Sequence, residues 1–158
     1  MPARIPPRSK AKRDYTWNAE SVFGSPAAWE KEVDAIVAEL PGVRALQGRL
    51  HEGAVRLRQS LAAIEGIQAR TARAVLYAGF TYSVDTTNTV GSAMVSRAQA
   101  LEAQVLAGVS FLRPELLAIG EKKLRAWVAG DAALSVYGHF FDDLFRRQAH
   151  VRSSEVEE

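Results

Sequence analysis

No cysteine occurs among the 158 residues, which excludes disulfides and thiolate chemistry and permits a cytosolic address. Long apolar runs are missing too. Runs such as Ala132-Ala133-Leu134 fall far below the roughly 20 residues a membrane helix needs. Met1 to Arg13 carries basic residues but no apolar stretch of the signal-peptide kind. Neither sign of charge dominates, with 20 basic against 18 acidic residues. There is no Gly-x-Ser-x-Gly elbow, no Walker-type loop and no Gly-rich turn after a strand, so nucleophilic hydrolysis and nucleotide binding find no motif. Proline is absent between Pro41 and Pro114, so nothing in that interval forbids long helices.

What is present is a globular composition, 47% apolar and 24% charged, in a length suited to one domain. The charge is unevenly spread. Residues 1–13 hold Arg4, Arg8, Lys10, Lys12 and Arg13 without an acid, and the remainder is mildly acidic. Three of the six prolines lie in the same stretch, which reads as an extended, flexible basic tail. Such a tail could be a phosphate-binding arm or an unstructured leader. The lack of interleaved aromatics favours the leader and speaks against a nucleic-acid partner.

Apolar residues recur at threes and fours, the helical period. Ser25-Pro26 reads as a cap followed by proline at the first helical position, and Trp29, Val33, Ile36 and Leu40 line one face until Leu40-Pro41-Gly42. Leu50, Ala54, Leu57, Leu61 and Ile64 form a second stripe, continued past Gly66 by Val75, Ala78 and Tyr82. Val90, Met94, Ala98, Leu101, Val105, Val109 and Leu112 form a third, with Asn88 or Thr87 as its cap. Pro114 opens a short helix, and Gly120 and Gly130 bracket another around Leu124 and Trp127. A last helix presents Leu134, Tyr137, Phe141, Leu144 and Gln148. Each stripe needs cover from another helix, so the expected fold is all-α: an antiparallel bundle of about five to six helices. Trp17, Trp29 and Trp127 are expected in the core or in domain packing. The polar stretch Tyr82–Thr89 reads as a capped helix–helix turn.

Two groups resemble metal sites and fail on chemistry. His51-Glu52-Gly53-Ala54-Val55 begins like the zinc-peptidase signature, but Val55 stands where the second ligand is required. His139, Asp143 and His150 share a helix face. The outer two would lie about 16 Å apart along the axis, too far for one ion. Asp142–Arg146 and Asp143–Arg147 at i,i+4 read instead as ion pairs of a solvated face. No catalytic, metal-binding or cofactor-binding residue is therefore assigned. At the other end of the chain, Ser154-Glu155-Val156-Glu157 fits a capping box, which reads either as the start of a further helix over 153–158 or as an acidic tail.

An ordered set of landmarks from Asp14 onward resembles the N-terminal region of oligoendopeptidase F, a zinc metallopeptidase family related to thimet oligopeptidase. Trp17-Asn18-Ala19-Glu20-Ser21-Val22-Phe23 is similar to that family's opening motif. Trp29, Gly48-Arg49-Leu50, Tyr82 with Asp85, and Phe111-Leu112-Arg113-Pro114-Glu115-Leu116 follow in order. Tyr137 through Arg147, His150 and Ser153 to Glu157 complete the set. Ala19 and Arg152 depart from it, each standing where the family usually has leucine. With the basic tail over 1–13 read from its charge and prolines, the resemblance implies a helical N-terminal domain over 14–152, followed by the truncated start of a further helix over 153–158. It also implies that the zinc and the His-Glu-x-x-His motif, which this sequence does not contain, belong to a C-terminal catalytic domain. That domain, or a second copy meeting an exposed apolar face, would be the partner, and oligopeptides would be substrates only of the complete enzyme. The alternative is a stand-alone helical interaction or dimerisation module without enzymatic activity.

Overall fold

The computed structural model describes residues 10–148. The first nine residues of the basic segment lie outside it, as do His150, Arg152 and the Ser153–Glu158 capping box. Among the described residues the fold is all-α, without a strand. The helices are α1 (Pro26–Arg44), α2 (Ala54–Ser83), α3 (Thr89–Gly108), α4 (Leu112–Ile119), α5 (Glu121–Gly130) and α6 (Gly138–Gln148), joined in part by short 3-10 turns. No single helix is long and apolar enough to cross a membrane. The chain divides into two compact units, and the division falls inside α1, α2 and α3.

The first unit comprises residues 10–39 and Ile67–Val105. As the sequence indicates, α1 begins at Pro26, and the Ser25 hydroxyl accepts a hydrogen bond from the Ala28 N–H at 3.2 Å. Trp29, Val33 and Ile36 are buried with Ala74, Tyr77 and Ala78 of α2 and with Met94, Ala98, Leu101 and Val105 of α3. Burying a side chain of this size contributes about 1.5–3 kcal/mol. Trp29 is 1% exposed, and its indole N–H donates to the Ala74 carbonyl at 2.9 Å, fixing the register of α1 on α2. The turn between α2 and α3 is capped as expected: Asn88 Oδ1 accepts from the Val90 and Gly91 N–H groups, and Asp85 Oδ1 from the Thr87 N–H and hydroxyl. A Cβ at Gly91 would stand 3.2 Å from the Tyr82 Cα, so glycine is what lets α3 start this close to the end of α2.

The second unit comprises Leu40–Gly66 and residues 106–148. Its core takes Leu40 and Val43 from α1, Leu57, Leu61 and Ile64 from α2, and Leu50, Leu116, Leu124, Leu134, Phe141 and Leu144 from the shorter elements.

Several expectations are corrected. α1 does not stop at Leu40-Pro41-Gly42; it runs through Pro41 to Arg44. Leu40 and Val43 on either side are buried, and the missing N–H falls in the last turn, where one lost bond is offset by that burial. Beyond Gly66 the buried stripe is Ile67, Thr71, Ala74, Tyr77 and Ala78; Ala78 is buried as expected, whereas Val75 and Tyr82 are only half-buried. Thr71 fits this face because its hydroxyl donates to the Ile67 carbonyl at 2.8 Å. Val90 is exposed, since it sits in the first turn of α3 before the helix reaches its packing partners. Leu134 and Tyr137 precede α6 and lie in or beside a 3-10 turn. Of the three tryptophans only Trp29 is in the core: Trp127 is half-buried and Trp17 is 60% exposed.

Candidate functional site

The two groups that resembled metal sites do not become sites. Among the described residues no three His, Asp or Glu side chains gather where an ion could be held. His51 and His139 are exposed. Glu52, the would-be base beside His51, pairs with Arg49 at 2.8 Å and Arg56 at 3.1 Å. The hydrogen bond from Arg49, followed by the charge of Arg49 and the contact with Arg56, holds its carboxyl below the usual range. Asp143 is likewise tied to Arg146 and Arg147 and held low, first by the Arg146 hydrogen bond. The expected Asp143–Arg147 pair forms at 2.7 Å, whereas Asp142 faces Arg125 at 2.9 Å in place of Arg146. These carboxylates are occupied anions, unsuited to taking up a proton from water near neutral pH.

What the structure brings together are the landmarks themselves. In the first unit the opening segment folds onto α2. The Trp17 and Phe80 ring centroids are 4.3 Å apart, and Phe23 meets Tyr77 edge-on at 5.3 Å. The Arg73 guanidinium lies 5.4 Å from the Phe23 ring centre and donates to the Val22 carbonyl at 3.1 Å. Burial, with Glu20 as a second influence, raises the Tyr77 phenol above its ordinary value. The spacing of Trp17 and Phe23 is therefore that of two aromatic anchors on one helix face.

In the second unit two further landmarks meet. The Glu115 carboxylate accepts the Gly48 N–H at 2.5 Å and the Leu50 N–H at 3.4 Å. Gly48 adopts φ +79°, a conformation natural to glycine, and turns its N–H toward the carboxylate. Leu50 and Leu116, beside these polar contacts, are completely buried. Gly48-Arg49-Leu50 and Pro114-Glu115-Leu116 are thus one structural device, a turn held by a carboxylate over a leucine pair. Tyr137 adds a hydroxyl bond to Glu65 at 2.8 Å, and Arg58 pairs with Asp131 at 3.1 Å.

The same unit carries a groove of about 210 Å³ whose lining includes Pro114 and Leu117 of α4 and Phe140 and Leu144 of α6, together with Arg113 and Arg147. Sequence reasoning missed it. Leu117 and Phe140 fall off the core stripes, and only the packing of α4 on α6 aligns them. Their spacing in sequence carries no signal of that.

A family model described as Oligopeptidase F matches residues 115–158, starting at the carboxylate that holds the turn. Oligopeptidase PepF of Bacillus subtilis is 29% identical over 154 residues, which is 98% of this chain and 23% of that protein. Group B oligopeptidase PepB of Streptococcus agalactiae is 27% identical over 151 residues, 96% of this chain and 25% of its own length. Among solved structures, oligoendopeptidase-F from Enterococcus faecium aligns with a TM-score of 0.74 at 26% identity, over 84% of this chain and 26% of that one. A Chlamydophila abortus protein at 21% identity shares the fold with a TM-score of 0.81, over 98% of this chain and 26% of that one. The chain spans about a quarter of the length of the curated relatives it matches.

Proposed function

This chain belongs to the oligoendopeptidase F family and corresponds to the N-terminal part of those proteins, and from that premise we propose that it is the non-catalytic region of a zinc-dependent, oligopeptide-cleaving metalloendopeptidase. One observation carries the reading: nearly the whole chain aligns with about a quarter of each curated oligopeptidase. The residues described here do not fit a zinc site, because their histidines stand singly and their best-placed carboxylates are bound to arginines. The metal and the water it would activate belong to a different part of such an enzyme. On this reading the helical units supply wall: rigid surface that limits the reacting centre to short, unfolded peptides.

An internally quenched oligopeptide tests the proposal. The purified chain, supplied with zinc, is expected to leave it intact. A chimera in which this chain replaces the matching quarter of the Bacillus subtilis relative is expected to cleave it and to lose that activity to a chelator. Chelator-sensitive cleavage by the 158-residue chain alone would overturn the assignment.

A further inference from the structure

Besides the groove, the second unit carries a cavity of about 300 Å³, at the small end of ligand-binding cavities. Three pieces of chain line it: the turn bearing Gly48 and His51, the stretch of α4 bearing Glu115, Ala118 and Ile119, and Lys123 in the first turn of α5. Its charges are opposite in sign and do not meet. Lys123 and Glu115 both line the cavity, yet Lys123 forms no ion pair among the described residues. Its ammonium lies 5.0 Å from the centre of the Trp127 ring, which positions the charge without neutralising it. Glu115 keeps the capacity to accept. Its Oε1 takes the Gly48 N–H at 2.5 Å, whereas Oε2 has only the Leu50 N–H at 3.4 Å, longer than a usual bond of this kind. The exposed His51 ring makes no hydrogen bond among the described residues and adds an N–H donor. Ala118 and Ile119 supply apolar surface.

A ligand with one charge would satisfy one of these groups and leave the other. A zwitterion satisfies both. We propose that the cavity binds a single zwitterionic α-amino acid with an aliphatic side chain. Its carboxylate accepts from Lys123 and His51, its ammonium donates to Glu115 Oε2, and its side chain lies against Ala118 and Ile119. An α-amino acid carries its two charges on substituents of one carbon, so it bridges an ammonium and a carboxylate that stand too far apart to pair directly, through charge-assisted hydrogen bonds at both ends. In a longer peptide the two terminal charges are separated by the backbone between them, and the small volume leaves that backbone no room. This inference stands independently of the peptidase reading, since nothing in it requires cleavage.

Three probes of nearly one size test this on the unaltered, isotope-labelled chain: leucine, leucinamide, which lacks the carboxylate, and isocaproate, which lacks the ammonium. All are titrated at one pH and ionic strength. Leucine is expected to shift the amide signals of Gly48, Ile119 and Lys123 saturably. Each analogue should need at least about tenfold more, the loss of one charge-assisted contact. Lys123→Gln, at an exposed position, should weaken leucine by a similar factor, and unchanged signals in the first unit verify that the fold is intact. Saturation by isocaproate at the concentrations that suffice for leucine would overturn the proposal and make the cavity a plain anion site. Equal saturation by leucinamide would overturn it too, leaving only a cation site at Glu115. So would the lack of any shift up to the solubility limit of leucine, or a leucine affinity that ignores Lys123→Gln.

Discussion

The two units solve the same problem, holding helices in register, by different means. In the first, long helices with continuous apolar stripes meet over a buried core, and one indole hydrogen bond from Trp29 to Ala74 sets their alignment. Arg70 adds contacts to Glu32 and Glu39 at its margin, and Arg97 one to Asp34. In the second, α4, α5 and α6 have only 8, 10 and 11 residues. Helices of that length are marginal by themselves. They are tied down by specific polar contacts between segments far apart in sequence: Glu115 to Gly48 and Leu50, Asp131 to Arg58, Tyr137 to Glu65, Asp142 to Arg125. Both units carry ion pairs between distant segments; what differs is that the first rests on long helices with a continuous buried core, and the second on short helices that need such ties.

The largest expected effect strikes the first unit. Trp29→Ala should lower stability by about 3–5 kcal/mol, read in a urea or thermal unfolding transition. Trp29→Phe keeps much of the buried area and forfeits the indole bond, so it should lose clearly less, with about 0.5–1.5 kcal/mol belonging to the bond. If phenylalanine proved as damaging as alanine, alignment by the hydrogen bond would outweigh packing and the contrast between the units would collapse. Gly91→Ala comes next. Its Cβ would press on the Tyr82 backbone, which cannot swing aside like a side chain, and about 1–3 kcal/mol should be lost.

In the second unit the corresponding test is Glu115→Ala. It leaves the Gly48 and Leu50 N–H groups without their acceptor, a loss of about 1–3 kcal/mol, toward the lower end because water reaches Gly48. Faster hydrogen exchange should be confined to the turn around Gly48–Leu50. Glu115→Gln keeps one acceptor oxygen and should lose less. Equal exchange throughout the unit would mean that the leucine pair alone holds the turn.

The contrast also explains what the sequence made legible. The all-α class, the α1 start at Ser25-Pro26 and the Asn88 cap rest on local chemistry, and each appears as read. Pro41 misled because a local rule met a tertiary reward: the helix continues where Leu40 and Val43 are buried. The shift from Val75 and Tyr82 to Ile67, Thr71 and Ala74 arose because threonine, polar by type, hides its hydroxyl on its own helix. Trp17, expected in the core or in domain packing, is not in the core: it is exposed and lies on Phe80, a distinction aromatic type alone does not make. The Glu115 turn and the groove were not legible, because both depend on which segments meet, and spacing within one segment does not encode that. The family landmarks marked Gly48 and Glu115 separately without saying that they touch.

A smaller effect of opposite sign is expected at Gly66 in the middle of α2. It is exposed, and a Cβ there would meet nothing within 4 Å. Gly66→Ala should therefore stabilise the protein by about 0.5–1 kcal/mol, by helix propensity and by a less flexible unfolded chain. Gly66 is also the residue at which α2 leaves the second unit. A destabilising Gly66→Ala would mean that the helix must bend there, so that α2 could not be treated as one uninterrupted element shared by the two.

The smallest expected effect is a difference in acid response. Asp85 in the first unit is held below the ordinary aspartate range, first by the Thr87 hydroxyl and then by the Thr87 N–H. Asp143 in the second is held low, first by the Arg146 hydrogen bond and then by the charges of Arg147 and Arg146. With a folded pKa below the unfolded one, the native state binds fewer protons in the interval between them, so stability rises with pH there. Each contribution is complete above the ordinary aspartate value and disappears as pH falls through the lower folded value. Asp85→Asn and Asp143→Asn should each flatten that acid limb, measured as unfolding midpoint against pH. Salt separates them: the Asp143 contribution depends on exposed arginines and should shrink as ions screen it, whereas Asp85 is held by neutral donors and should not respond. Equal salt sensitivity in both variants would erase the distinction between a carboxylate held by exposed arginines and one held by neutral donors.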